Sequence, residues 1–277
     1  MKPNSVHQLI IRLLIAAIAS LSCSRIQATP VTEPRDKVAA VASQILRADY
    51  EGDRAAMQRG FDELKPFLED KALASRIRYW RGFAQWRRAM NGFNDNVDPK
   101  ELEQDLKNAI EEFKVAAEQD PKFVDAKVGL ISCWGILAFM NRKENPPRAR
   151  ELVNQILPLV KEADEVAPDN PRLIWVHGPI LWNSPPEKGG GQDKAIQNYQ
   201  RGLEICSETK PGDDPIEPSW GKPEFMMVLA YSYLNASKPD LNAAERYARG
   251  ALEIVPYWHY TRDILLPQIL AAKEKAK

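Results

Sequence analysis

The chain has 277 residues, and its 38 basic and 38 acidic side chains cancel in formal charge. Balanced charge removes the electrostatic case for a nucleic-acid partner, which needs a basic stripe or patch. Apolar residues make up 44%, enough for a substantial core, and long segments rich in Ala, Leu, Glu, Lys and Arg point to an all-α chain.

The first element is not part of the fold. Lys2 precedes an apolar stretch, Leu9–Leu21, that Arg12 interrupts. The uninterrupted part, Leu13–Leu21, falls short of the roughly 20 residues that span a bilayer. It has the length of a secretory h-region. Residues 1–28 are therefore read as a signal peptide cleaved after Ala28, and 29–35 as a flexible segment. A periplasmic or otherwise exported location follows. Cys23, after "SLS", is a lesser candidate for lipid attachment, and membrane association is expected only in that case. Removing residues 1–28 takes away three basic residues and no acid, which leaves a formal charge of −3.

Helices are expected next near 36–49, 53–68, 72–91, 100–119, 122–141, 146–166, 171–183, 192–207, 221–236, 240–254 and 257–275. Start signals agree with this division. Asp53 follows "YEG", Asp98-Pro99 precedes "KELEQ", and Asn170-Pro171 and Lys222-Pro223 open later segments.

Alternate helices share a spacing pattern. In "AIEEFKVAAEQDP", Ala109 is followed by Phe113, Ala116 and Pro121. Ala195, Tyr199, Gly202 and Ser207 repeat those intervals, as do Ala244, Ala248, Ala251 and Pro256. Ala163 and Pro168 carry the last part of the pattern. Each helix before them holds its own small residue: Gly82, Gly178 and Ala230. Small residues let paired helices cross closely, and the Pro ends one unit and starts the next.

This pattern resembles the tetratricopeptide repeat (TPR), a helix–turn–helix unit of about 34 residues. The resemblance covers Asp36 to about Lys273, with insertions such as "NGFNDNVDPKEL" and "SETKPGDDPIEPSWG" lengthening turns. It implies a right-handed α-solenoid of antiparallel helix pairs with about eleven helices, forming one domain over 36–277. Odd-numbered helices would line the concave face. Neighbouring pairs would stack into one continuous core.

No constellation for catalysis is present. His177 and His259 stand alone, without Cys or His at zinc-ligand spacing. There is no nucleophile elbow and no H-E-x-x-H motif. Neither a metal nor a cofactor is expected. Cys133 and Cys206 lie about two repeats apart, too far for a bridge in a solenoid, and are expected to be free. His259 and Asp263 have the spacing of a helical pair.

Concave-face aromatics are the candidate site. The groove of the TPR resemblance implies Tyr79, Phe83, Trp86 and Arg87 from the third helix. It implies Trp175, Trp182 and Asn183 from the seventh, Met227, Tyr231 and Asn235 from the ninth, and Tyr260 from the last. Trp and Tyr on a concave face suit an extended protein or peptide segment, or a hydrophobic small ligand. The expected function is a non-enzymatic, exported scaffold that binds a protein or peptide partner, as a monomer or weak homo-oligomer. The alternative is a periplasmic small-molecule binder associated with solute uptake. An open groove would favour the first and an enclosed pocket the second. The run Gly189–Gly191 lacks the strand and the Gly-Lys-Ser/Thr of a phosphate loop. It reads as an inter-helix turn, with Gln192 or Asp193 capping the next helix and a minor candidate anion site at Gly190 and Gly191.

Overall fold

A computed structural model describes residues 33–210 and 212–276. The signal peptide, Cys23 and most of the flexible segment fall outside the described residues. Eleven α-helices follow one another without a strand among the described residues. They are α1 (Pro34–Glu51), α2 (Arg54–Glu63), α3 (Ala74–Asn94), α4 (Pro99–Gln119), α5 (Val124–Asn141) and α6 (Pro146–Val166). The remainder are α7 (Pro171–Asn183), α8 (Gln192–Glu208), α9 (Lys222–Asn235), α10 (Leu241–Ile254) and α11 (Leu266–Lys275).

Helix starts follow from sequence chemistry. The carboxylates of Asp53, Asp98 and Asp240 accept from Ala56, Lys100 and Asn242 backbone N–H groups, and the amide oxygen of Asn170 accepts from Arg172. Each satisfies a donor that has no partner inside the helix. Proline sets two boundaries inside expected helices. The expected 53–68 helix ends at Glu63 and continues as a 3-10 turn over Lys65–Phe67, because Pro66 cannot donate an N–H to the α ladder. The expected 257–275 helix opens as a π-helical turn, Tyr260–Leu265, ahead of Pro267. At α8 the N-cap is Gly191, and neither Gln192 nor Asp193 caps it. Gln192 instead accepts from the backbone N–H of Ser237 at 2.9 Å.

The helices pack as antiparallel pairs. The first four inner helices also meet in succession, α1 with α3, α3 with α5, and α5 with α7. Ring-into-glycine contacts set their approach. Phe113 of α4 sits between Gly82 and Gly129, where an added Cβ would lie 2.8 and 2.4 Å from its ring. Tyr199 of α8 fits Gly178 in the same way, at 2.0 Å. The pattern of small residue against aromatic is therefore a packing code rather than a ligand code. Helix α5 is the one described helix long and apolar enough to cross a membrane, and 61% of it is buried in the fold.

The two ends of the solenoid meet. Tyr50 at the end of α1 donates its hydroxyl to Glu224 of α9, and its ring meets Trp258 edge-on at 5.0 Å. Ion pairs span the same seam: Arg76 of α3 reaches Glu217 at 2.7 Å, and Arg35 pairs with Asp214.

Candidate functional site

The concave face is partly filled by the chain itself. Segment 212–221, between α8 and α9, crosses the groove and buries Ile216 and Trp220 against α3. Trp80 donates its indole N–H to the Ile216 carbonyl at 2.7 Å, and Trp220 donates to the Tyr79 hydroxyl at 2.9 Å. The Trp220 ring meets Phe83, Trp86 and Trp175 at 6.2, 6.0 and 5.8 Å. Offset and edge-on rings at these spacings attract one another beyond their area burial.

This arrangement corrects part of the expected groove. Tyr79, Phe83 and Trp86 are 1–2% exposed and belong to the core. They face inward as expected, but residues 212–221 cover them. Asn235 lies beyond the groove at the end of α9, where its Nδ2 donates to the Tyr231 carbonyl. The other seven residues, Arg87, Trp175, Trp182, Asn183, Met227, Tyr231 and Tyr260, line one pocket.

That pocket has a volume of about 880 Å³. Helices α3, α5, α6, α7 and α9 and the turn before α11 all contribute to it. Its walls are mainly apolar. Register reasoning from α3 and α7 missed the contribution of α5 and α6: Ile131, Ile136, Phe139, Val153 and Leu157. Their signal was the near-uninterrupted apolar stretch 128–139, which offers no periodicity by which to sort core from lining. Around the mouth Phe93, Phe139, Val153, Leu157 and Tyr231 are exposed.

The polar groups of the pocket are few. Arg87 is held by Asp49 at 2.8 Å from Nε to the carboxylate, and Asn91 donates to the same carboxylate at 2.8 Å. Burial pulls Arg87 down, but Asp49 outweighs it and the guanidinium sits above its ordinary range. Glu224, next to this pair, accepts from Tyr50 and from the Gly221 backbone at 2.7 Å. Desolvation nonetheless dominates and raises its carboxyl. Burial also lifts the Tyr260 hydroxyl to about 12. Tyr260 is thus a neutral donor at neutral pH.

The glycine run is a closed turn. Gly189 and Gly191 have φ of +80° and +109°, which glycine adopts without steric cost. Their N–H groups donate to the Pro186 and Leu181 carbonyls, both at 2.9 Å, and that of Gly190 donates to Pro185 at 3.2 Å. The three glycine N–H groups are thus engaged, and neither Gly190 nor Gly191 has one left for the expected anion. Cys133 and Cys206 are free thiols, and His259 contacts Asp263 at 2.9 Å. Among the described residues no group of three or more His, Cys, Asp or Glu side chains could hold a metal ion.

Paired helices, ring-into-small contacts and a concave pocket define a TPR-like helical-repeat fold. It resembles a thermophilic TPR protein of Thermus thermophilus, with a TM-score of 0.55 and 17% identity over 85% of this chain and 99% of that one. It also resembles the HusA haemophore of Porphyromonas gingivalis, with a TM-score of 0.55 and 16% identity over 71% and 92%. No protein-family model matches the sequence, and no curated protein matches it.

Proposed function

We propose that the protein is an exported, non-enzymatic binding protein that takes a compact apolar molecule in its concave pocket. One observation carries this reading: helices from α3 to α9, with the turn before α11, wall a single apolar pocket of about 880 Å³, within the range of small-molecule sites. Segment 212–221 fills the part of the groove that an extended peptide would need. Chemistry on the ligand is not part of the reading, because among the described residues no nucleophile–base pair lines the pocket. The likeness to a haemophore supports a ligand-carrying role for this shape of solenoid. Export rests on the apolar stretch Leu13–Leu21.

Titrating the purified protein with methyl 1-pyrenebutanoate, a neutral apolar probe, tests the reading. Saturable one-to-one binding that weakens in Trp182→Ala and Tyr231→Ala is expected. Binding that both variants leave unchanged overturns it.

A second reading, a protein partner, rests on Phe139 and Leu157, which are 59% and 57% exposed at the rim. Replacing both by Ser should abolish capture of an envelope protein. Unchanged capture contradicts it.

A further inference from the structure

Three polar residues that line the apolar pocket, Arg87, Asn91 and Ser232, are more than nine-tenths buried. Arg87 is 8% exposed and Ser232 is 2% exposed, and both line the pocket. A buried polar group normally has a partner. The Ser232 hydroxyl makes no hydrogen bond to any described side chain. Asp49 engages Arg87 at Nε, and no other side chain among the described residues accepts from the guanidinium. An arginine carries five N–H donors in a fixed fork, so most of its donor capacity is unused. Asn91, Asp49 and the face of Trp86, 5.4 Å from the guanidinium carbon, hold the group in place. It is a preorganised cation at the wall of an apolar cavity. Among the described residues no carboxylate other than Asp49 forms an ion pair with it; Glu224, which also acts on it through space, accepts from Tyr50 and Gly221.

We infer that the ligand is an apolar carboxylic acid, its body against Trp182, Phe139 and Tyr231 and its carboxylate on Arg87. The inference rests on the pocket reading above and adds the ligand's charged end. Arg is suited to this role because its fork matches the two oxygens of a carboxylate. Ser232 is a further donor lining the same pocket.

Comparing 1-pyrenebutanoate with its methyl ester by fluorescence titration tests it, since the two share one body and differ in charge. The acid is expected to bind about tenfold more tightly, the worth of one charge-assisted contact. Asp49→Asn, which removes the competing carboxylate and keeps the hydrogen-bonding shape, should tighten acid binding and leave the ester unchanged. Asp49→Asn with Arg87→Met, which removes the pair together, should bring acid and ester to equal affinity. Equal affinity in the unaltered protein, or no gain in Asp49→Asn, overturns the acid inference while the pocket reading stands. Failure of both probes to bind overturns both.

Discussion

Trp220 donates its indole N–H to the hydroxyl of Tyr79 at 2.9 Å, across 141 positions of sequence. This bond fastens an inter-helix segment into the concave face of a solenoid that would otherwise be open. The carbonyl of Ile216, held by Trp80, fastens its other end. The protein thus occupies part of its own groove, and what remains is a pocket.

Removing this fastening should be costly. Trp220→Ala empties a site that is 4% exposed, and large-to-small changes of this kind cost about 3–5 kcal/mol. Trp80→Phe keeps most of the ring volume but leaves the Ile216 carbonyl without its donor, at about 1–3 kcal/mol. Urea unfolding with an unchanged slope measures both, and the expected order is Trp220→Ala below Trp80→Phe below the unaltered protein.

The buried pair at the seam is a second test. Arg87→Met leaves Asp49, 2% exposed, without its cation, and a broken buried pair costs about 3–5 kcal/mol. Adding Asp49→Asn should recover much of that loss, since no buried charge then remains. A double variant no more stable than Arg87→Met contradicts this account of the seam.

Glu224 makes stability pH-dependent. Its folded carboxyl lies above the ordinary value of 4.5, chiefly through desolvation. A raised folded value means the native state holds the proton more tightly than the unfolded chain. The contribution is therefore full below 4.5 and is lost as pH rises through the folded value. Glu224→Gln cannot ionise. The melting temperature of the unaltered protein, minus that of Glu224→Gln, should fall as pH rises above 4.5. A difference that is flat with pH contradicts it.

Close helix crossing at small residues is testable alone. Gly178→Ala places a methyl 2.0 Å from the Tyr199 ring. Overpacking typically costs about 1–3 kcal/mol, outweighing the gain of replacing a helical glycine. The added Tyr199→Phe removes only the hydroxyl and should not rescue the variant, because the ring carbons also collide. Thermal melts of the three proteins decide this.

The sequence made the repeat legible because its small–aromatic–small spacing is itself the packing contact: Ala109, Phe113 and Ala116 are each wholly buried. Caps at Asp98 and Asn170 were legible because their chemistry is local. The site was legible only in half. Register in a repeat tells which face a residue takes, so Trp182, Tyr231 and Tyr260 could be placed on the concave side. It does not tell what else crosses that face. The insertion 212–221 carries Ile216 and Trp220 into the groove through contacts 136 and 141 residues apart, and no local pattern encodes them. The near-uninterrupted apolar stretch 128–139 of α5 gave no register by which Phe139 and Ile136 could be assigned to the lining.

The central claim is that the concave pocket holds the ligand. Gly135 lines that pocket, and a Cβ added there would meet only the Ile156 side chain, at 3.9 Å. Gly135→Phe therefore introduces its Cβ without a collision and sets a ring at the cavity wall, and it removes a helix-interior glycine, a residue that costs about 0.5–1 kcal/mol relative to alanine. Fluorescence titration of Gly135→Phe with 1-pyrenebutanoate, beside its melting temperature, is the most direct measurement. The account predicts a protein at least as stable as the unaltered one that no longer binds the probe. A stable Gly135→Phe protein that binds the probe with unchanged affinity and stoichiometry would contradict it.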